Sequence, residues 1–201
     1  MAKGLLIVVS GPSGTGKSSI CRRLLKACPE IKFSISYTSR PPRPKEINGK
    51  DYYFISRKDF QTRIKKGEFV EWVENYGHLY GTSWKTMEEF RQKGNDLLLD
   101  IELRGAKKIK QNFKGGVFVF VLPPSRAELL KRLEGRGHAT AEVIRARLVQ
   151  ADNELKEISW YDYIIFNEKL KNAVDQLRSI YISQKCRKSS LLDRIKQFVK
   201  K

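Results

Sequence analysis

The segment Gly11-Pro12-Ser13-Gly14-Thr15-Gly16-Lys17-Ser18 constrains this chain more than any other. It reads G-x-x-x-x-G-K-S, the P-loop pattern, whose meaning depends on what flanks it. Before it lies Leu5-Leu6-Ile7-Val8-Val9, apolar and β-branched, which predicts a buried strand. After it, Ile20, Leu24 and Leu25 recur at helical spacing, with Arg22, Arg23 and Lys26 between them. A strand passing through a glycine loop into a helix gathers main-chain N–H groups and the positive end of the helix at one point, which makes an anion cradle. The glycines let the main chain come close to a phosphate. Lys17 is then placed to reach the terminal phosphates of a nucleotide, and the Ser18 hydroxyl to ligate Mg²⁺. Gly11, Pro12, Ser13, Gly14, Thr15, Gly16, Lys17, Ser18 and Ser19 are therefore expected to hold a nucleoside triphosphate with its Mg²⁺.

Further buried strands are expected at Asp96-Leu97-Leu98-Leu99-Asp100, Val117 to Leu122 and Tyr163 to Phe166. The first of these ends in an acid, Asp100, at the carboxyl end where a Mg²⁺ partner usually sits. Helical patterns lie between them. One runs from Ser83 to Lys93, capped by Thr82 or Ser83 and stopped by Gly94, and one over 103–112. A third follows Pro123-Pro124-Ser125 and ends at Gly135-Arg136-Gly137. A polar, arginine-rich helix from Thr140 to about Ile158 carries few apolar residues, so it is expected to pack lightly and to move. Two helices, roughly 168–187 and 190–199, close the chain. In the last, Leu191, Leu192, Ile195, Phe198 and Val199 share one face, with Arg194, Lys196, Lys200 and Lys201 off it. That face is expected to pack on the core, the alternative being a membrane-surface or partner helix. Strands alternating with helices predict an α/β fold of three layers, a parallel sheet covered on both faces.

Residues 34–81 break that alternation. Phe33 to Thr38 alternates like a strand, and Arg40-Pro41-Pro42-Arg43-Pro44 cannot be regular structure. A turn at 47–50, a strand candidate at Tyr52 to Ile55 and a short helix from near Ser56 to Lys66 follow. Phe69 to Val73 and His78 to Tyr80 alternate again. The stretch reads as a small β-rich insert, aromatic and polar. Arg40 and Arg43 flank a proline kink, and with the hydroxyls of Tyr52 and Tyr80 they suit a phosphate monoester. Ser36 and Glu71 lie in the same insert. A carboxylate can accept from the N1–H and N2–H₂ edge of guanine while a hydroxyl donates to O6. Adenine has the opposite polarity at its 6 position, and a buried pair of this kind would reject it. Alternation alone leaves equally open that Glu71 faces outward on an edge strand.

The net charge of +18 raises the question of nucleic acid. The basic residues, however, are spread along the chain, and two phosphorylated substrates need positive potential by themselves, so no obligate nucleic acid is expected. Cys21, Cys28 and Cys186 are odd in number and lack C-x-x-C spacing, which predicts free, buried or half-buried thiols. His78 and His138 are too few and too scattered for a metal cluster. No apolar run approaches a membrane span, and Met1-Ala2-Lys3-Gly4-Leu5 lacks the layout of a signal peptide, so a cytoplasmic protein, monomer or homodimer, is expected.

The order Thr38-Ser39-Arg40-x-x-Arg43-x-x-Glu46-x-x-Gly49-x-x-Tyr52-x-Phe54 resembles the signature of guanylate kinases. The likeness extends to the P-loop, Phe69-Val70-Glu71-Trp72, Tyr80-Gly81-Thr82, Leu99-Asp100-Ile101-Glu102 and Arg132-Leu133-Glu134-Gly135-Arg136-Gly137, nearly the whole chain. It implies transfer of the γ-phosphoryl of ATP to GMP, giving ADP and GDP, on a P-loop core with a GMP-binding insert and a helical lid. The core would take in 1–33, 82–124 and 159–201, the insert 34–81 and the lid 125–158. By the same resemblance Arg40, Arg43, Tyr52 and Tyr80 would hold the GMP phosphate, and Ser36, Glu71 and Thr82 would read guanine. Asp100 and Glu102 would lie between the nucleotides near guanine and the metal's waters, with Ser18 and Asp100 serving Mg²⁺. Arg132, Arg136 and Arg147 would come from the lid to the transferring phosphoryl beside Lys17, and Asn167 would lie near the adenine of ATP. Glu102 stands where the family more often has aspartate, Thr82 where some members have serine, and Asn167-Glu168-Lys169 where asparagine and two aspartates are usual. Relatives of this fold that bind phosphorylated proteins typically lack the P-loop lysine and lid arginines, which this chain keeps.

Overall fold

The computed structural model describes residues 4–75, 77–113, 115–135 and 140–199, and of Arg91 and Asp193 the backbone alone. Five strands, β1 (Leu6–Ser10), β2 (Ile31–Phe33), β7 (Asp96–Asp100), β8 (Val117–Leu122) and β9 (Tyr163–Phe166), make a parallel sheet in the order β2-β7-β1-β8-β9. Its two faces follow from strand alternation. Ile7, Val9, Leu98 and Val119 face one way, against Ile20 and Leu24 of α1 (Lys17–Ala27) and Ala173 and Leu177 of α7 (Leu170–Lys185). Leu6, Val8, Leu97 and Leu99 face the other way. There they meet Met87 of α3 (Trp84–Gln92) and Ala106 and Ile109 of α4 (Leu103–Asn112). The sheet is therefore the middle of three layers, as an alternation of buried strands and helices requires.

The insert forms its own sheet. Strands β3 (Tyr37–Thr38), β4 (Tyr53–Phe54), β5 (Phe69–Asn75) and β6 (His78–Ser83) run in the order β4-β3-β6-β5. Helix α2 (Arg57–Lys65) covers it by burying Phe60, whose ring stacks on Phe69 at 4.5 Å, with Leu79 alongside. The Ser56 hydroxyl caps α2 by accepting from the Asp59 N–H, and Gly67, at φ 67°, ends it. Helices α5 (Arg126–Glu134) and α6 (Ala141–Leu155) pack on each other through Leu129, Leu133, Leu148 and Ala151. A 3₁₀ turn at Ile158–Trp160 returns the chain to β9.

Three expectations need correction. Phe33 to Thr38 is not one strand: Phe33 ends the edge strand of the core sheet, Tyr37 starts a strand of the insert sheet, and 34–36 bridge them. Alternation cannot reveal a change of sheet, because both strands have the same period. The apolar face of α8 (Lys188–Val199) does not pack on the core. Leu192, Ile195 and Val199 are exposed and Phe198 is 85% exposed. Cys21 and Cys28 are free and buried, but Cys186 is free and exposed. Among the described residues no helix is long and apolar enough to cross a membrane.

Candidate active site

The loop between β1 and α1 is shaped by Gly14 and Gly16, at φ 97° and 92°, values that a side chain would strain. Helix α1 has no side-chain cap and no acid in its first turn, so its first N–H groups are left for an anion. The Lys17 ammonium donates to the carbonyls of Gly11 and Pro12, on the loop itself. Parallel pairing sets Val9 opposite Asp100, which brings the carboxyl end of β7 beside the helix start. There the Ser18 hydroxyl donates to Asp100 Oδ2 at 2.6 Å. Two hard oxygen donors this close, at the mouth of an anion cradle, form a set that fits Mg²⁺ bound with a polyphosphate. Ser13 is half-buried, and the Ser19 N–H donates to the Gly16 carbonyl at 3.1 Å.

Residues of α5 and of the segment after β9 also meet this loop. Arg132 on α5 donates from Nε to Glu128 Oε1 (2.7 Å), from Nη1 to the Thr15 carbonyl (3.4 Å) and from Nη2 to the Asn167 carbonyl (3.0 Å). Asn167, buried just past β9, donates its amide to the same Thr15 carbonyl at 2.8 Å. In this structure its side chain thus anchors the P-loop main chain. Arg147 is half-buried on α6. Arg136 and His138 lie outside the described residues.

The insert builds a second polar surface. Arg40 is buried; its Nη2 donates to both carboxylate oxygens of Glu46 at 2.9 Å, and its Nη1 donates to the Pro41 carbonyl. Glu46 also accepts from the Arg43 N–H at 2.7 Å, while the Arg43 side chain is exposed. Lys45, at φ 72°, is a non-glycine residue in the left-handed region, and the turn it makes folds Glu46 back onto both arginines. The guanidinium of Arg40 also lies 5.7 Å from the ring of Tyr52, which meets Tyr80 edge-on at 6.1 Å. Burial pushes the Tyr52 phenol up to about 12, and the charge of Asp100 adds to this, so the phenol stays protonated and able to donate.

Glu71 faces inward. A register shift between Phe69 and Glu71 puts consecutive residues Val70 and Glu71 both into buried positions, with Trp72 outside. The Thr82 hydroxyl donates to Glu71 Oε1 at 2.7 Å, across the pair that β5 and β6 make. Burial pushes the Glu71 carboxyl up to about 7, against the Thr82 hydrogen bond and the positive charge of Lys108, which pull it down. Ser36 is half-buried between β2 and β3, its carbonyl accepting from the Tyr53 N–H. The insert meets the core here. The Asn75 amide donates to Glu102, and Lys108 of α4 donates to the Trp72 carbonyl.

Glu46 stands in the signature quoted from sequence but was given no role there, and Asn75 and Glu154 were not singled out. Glu46 lies six and three residues from the two arginines it meets, which the turn at Lys45 brings to it. Asn75 and Glu154 carry no local signal. Glu154, on α6, is buried and accepts from Gln150 at 2.9 Å; burial raises its carboxyl, opposed by the nearby charge of Lys17. An open cleft of about 460 Å³, lined by Glu30, Asp96, Tyr181 and Lys185 among others, lies at the far, amino-terminal end of β7. Its buried Asp96 is matched by the Tyr181 hydroxyl, Lys185 and the Leu5 N–H.

The arrangement offers two polar surfaces, one on the P-loop, where Asp100 meets Ser18, and one on the insert, with Glu102 meeting Asn75 where insert and core join. Comparison with known proteins points the same way. The family model described as guanylate kinase matches residues 3–184. A guanylate kinase of Syntrophus aciditrophicus is 52% identical over 194 residues, covering 96% of this chain and 93% of that protein. One of Geobacter sulfurreducens is 46% identical, covering 97% and 96%. The crystal structure of guanylate kinase from Anaplasma phagocytophilum superposes with a TM-score of 0.79 at 30% identity, covering 94% of this chain and 90% of that one. With sequence, fold and both polar surfaces in agreement, this chain belongs to the guanylate kinase family, and it is a kinase of the P-loop class.

Proposed function

We propose that the chain transfers the γ-phosphoryl of ATP to GMP, releasing ADP and GDP. The observation that carries this reading is the buried Glu71–Thr82 pair, 2.7 Å apart, on the same insert as Arg40 and Tyr52. Ionised Glu71 would accept from N1–H and N2–H₂ of guanine, a pattern that no other common nucleobase presents in that form. Arg40, held by Glu46, would take the GMP phosphate with Arg43, Tyr52 and Tyr80. On the other side Gly11 to Ser19 would cradle the ATP phosphates, and Lys17 would leave the loop carbonyls for the terminal phosphates.

The acceptor is already an oxyanion, so no side chain need remove a proton. Catalysis then reduces to alignment of the two phosphates and neutralisation of charge. Mg²⁺, held by Ser18 with Asp100 behind it, would offset charge on the terminal phosphates when bound. Lys17, Arg132, Arg136 and Arg147 would do the same for the phosphoryl in flight. Arg132 now bonds Thr15 and Asn167, beside the cradle. Closure of insert and lid, taken as 34–81 and 125–158, would exclude the water that would otherwise receive the phosphoryl. Both substrates are soluble nucleotides, which suits an enzyme of the cytoplasm.

The test is ADP release from ATP and Mg²⁺ with and without GMP, in wild type and R40A. GMP-dependent release that R40A weakens through KM is expected. No GMP-dependent turnover would leave the chain a protein-binding relative of the fold. Release stimulated by RNA or DNA without GMP would make it a nucleic-acid ATPase.

A further inference from the structure

Gly105 is buried in the first turn of α4, two residues after the helix begins at Leu103. Its φ is not in the positive range, so the backbone there admits any residue. Alanine is favoured over glycine in a helix. Something other than backbone geometry must therefore account for its fit, and the surroundings supply it. A Cβ at this position would stand 2.6 Å from Glu71 Oε2, closer than real Cβ contacts come, and a tight 3.0 Å from Glu71 Cδ. The carboxylate cannot yield easily. It is buried, and its other oxygen accepts from Thr82.

Neighbouring contacts fix β5 against the same helix face. Lys108, one turn on, donates to the Trp72 carbonyl and lies 4.7 Å from the Trp72 ring. Asn112, a further turn on, donates to the Val70 carbonyl at 3.2 Å. Gly105, Lys108 and Asn112 stand at i, i+3 and i+7 and so form one stripe. Two of the three hold the β5 backbone on either side of Glu71, and the third makes room for its side chain.

We propose that Gly105 is a specificity-positioning residue: the absence of a side chain on the core helix seats the Glu71 carboxylate where it reads the base of the acceptor nucleotide. This rests on the reading of Glu71 as the guanine acceptor. The helix follows directly on β7 and belongs to the core with Asp100 and Glu102, whereas Glu71 belongs to the insert. The contact thus sets the base-reading group against the core to within the width of a methyl group.

The test measures Kd for GMP, IMP and ATP, with thermal stability, in wild type, G105A, E71D and E71D/G105A. IMP lacks the 2-amino group, so its loss of affinity relative to GMP reports Glu71. In G105A the Kd for GMP is expected to rise at least tenfold and the GMP-over-IMP preference to shrink, with Kd for ATP unchanged. Shortening the acid by one methylene makes room for the new methyl. G105A should therefore cost less than about twofold in GMP affinity in the E71D background, and the double variant should be more stable than E71D, since alanine favours the helix. A general packing defect would instead give equal losses in both backgrounds and would disturb ATP as well, which overturns the proposal. So does G105A with wild-type affinity and preference. Should G105A fail to fold, recovery of folding in E71D/G105A sustains the proposal and its absence overturns it. Wild type that binds GMP and IMP equally would instead remove the reading of Glu71 on which the proposal rests.

Discussion

On the proposed reading of Glu71 as the guanine acceptor, pH becomes a direct probe of the site. Its carboxyl titrates at about 7 rather than the usual 4.5, because burial disfavours the ionised form more than Thr82 and Lys108 favour it. Relative to the unfolded chain, the ionised folded state is then less favourable by about 3 kcal/mol, at 1.36 kcal/mol for each tenfold change. The folded state binds the proton more tightly, so this contribution to stability is full below pH 4.5, falls as pH rises towards 7 and is flat above. The proposed contact with guanine needs the opposite state, the anion. At pH 6 roughly one molecule in eleven is ionised and at pH 8 roughly ten in eleven, so the apparent Kd for GMP should be about tenfold weaker at pH 6. The GMP phosphate also titrates, with a second pKa near 6, but loss of half its dianion changes binding by no more than about twofold. The assay is calorimetric titration of GMP without ATP, from pH 6 to 8, in wild type and E71Q. The amide cannot titrate, so E71Q should bind GMP more weakly throughout, with only the shallow dependence of the phosphate. Parallel profiles for the two proteins would refute the assignment of the proton to Glu71.

Three further outcomes are expected. Lys17→Ala should lower kcat by about 100-fold or more while changing Kd for GMP little, since it removes a donor to the transferring phosphoryl; steady-state ADP release and GMP titration check both. Glu46→Ala should raise KM for GMP roughly tenfold at nearly constant kcat, because a charged hydrogen-bonded pair that orients Arg40 is lost; an equal fall in kcat would place Glu46 elsewhere in the mechanism. Asn167→Ala should cost about 1–2 kcal/mol in denaturant unfolding by removing a buried donor to the Thr15 carbonyl, and should weaken ATP more than GMP.

Local chemistry was legible where one segment holds both the pattern and its context. The strand before Gly11 and the helix after Lys17 could be read directly, and the apolar run ending in Asp100 foretold an acid beside the cradle, which Ser18 now meets. Glu71 was undecidable from alternation because the irregularity beside Phe69 breaks the period at that place. Its partner Thr82 is eleven residues away and is brought opposite by the β5–β6 hairpin. Gly105 gave no signal, since a glycine early in a helical pattern reads as a weak helix start, and only the fold reveals what a side chain there would strike. The face of α8 misled for the converse reason. An amphipathic pattern states that a helix has an apolar side, not that the core has a place for it.

The claim on which all else depends is that the insert selects guanine for phosphorylation. Wild-type enzyme given ATP and Mg²⁺ with GMP, AMP, IMP, CMP or UMP in turn measures it directly. Rapid ADP formation is expected with GMP and little with the others, AMP least of the purines. AMP accepted as readily as GMP would contradict it, because a buried carboxylate beside a threonine hydroxyl cannot then be what chooses the base.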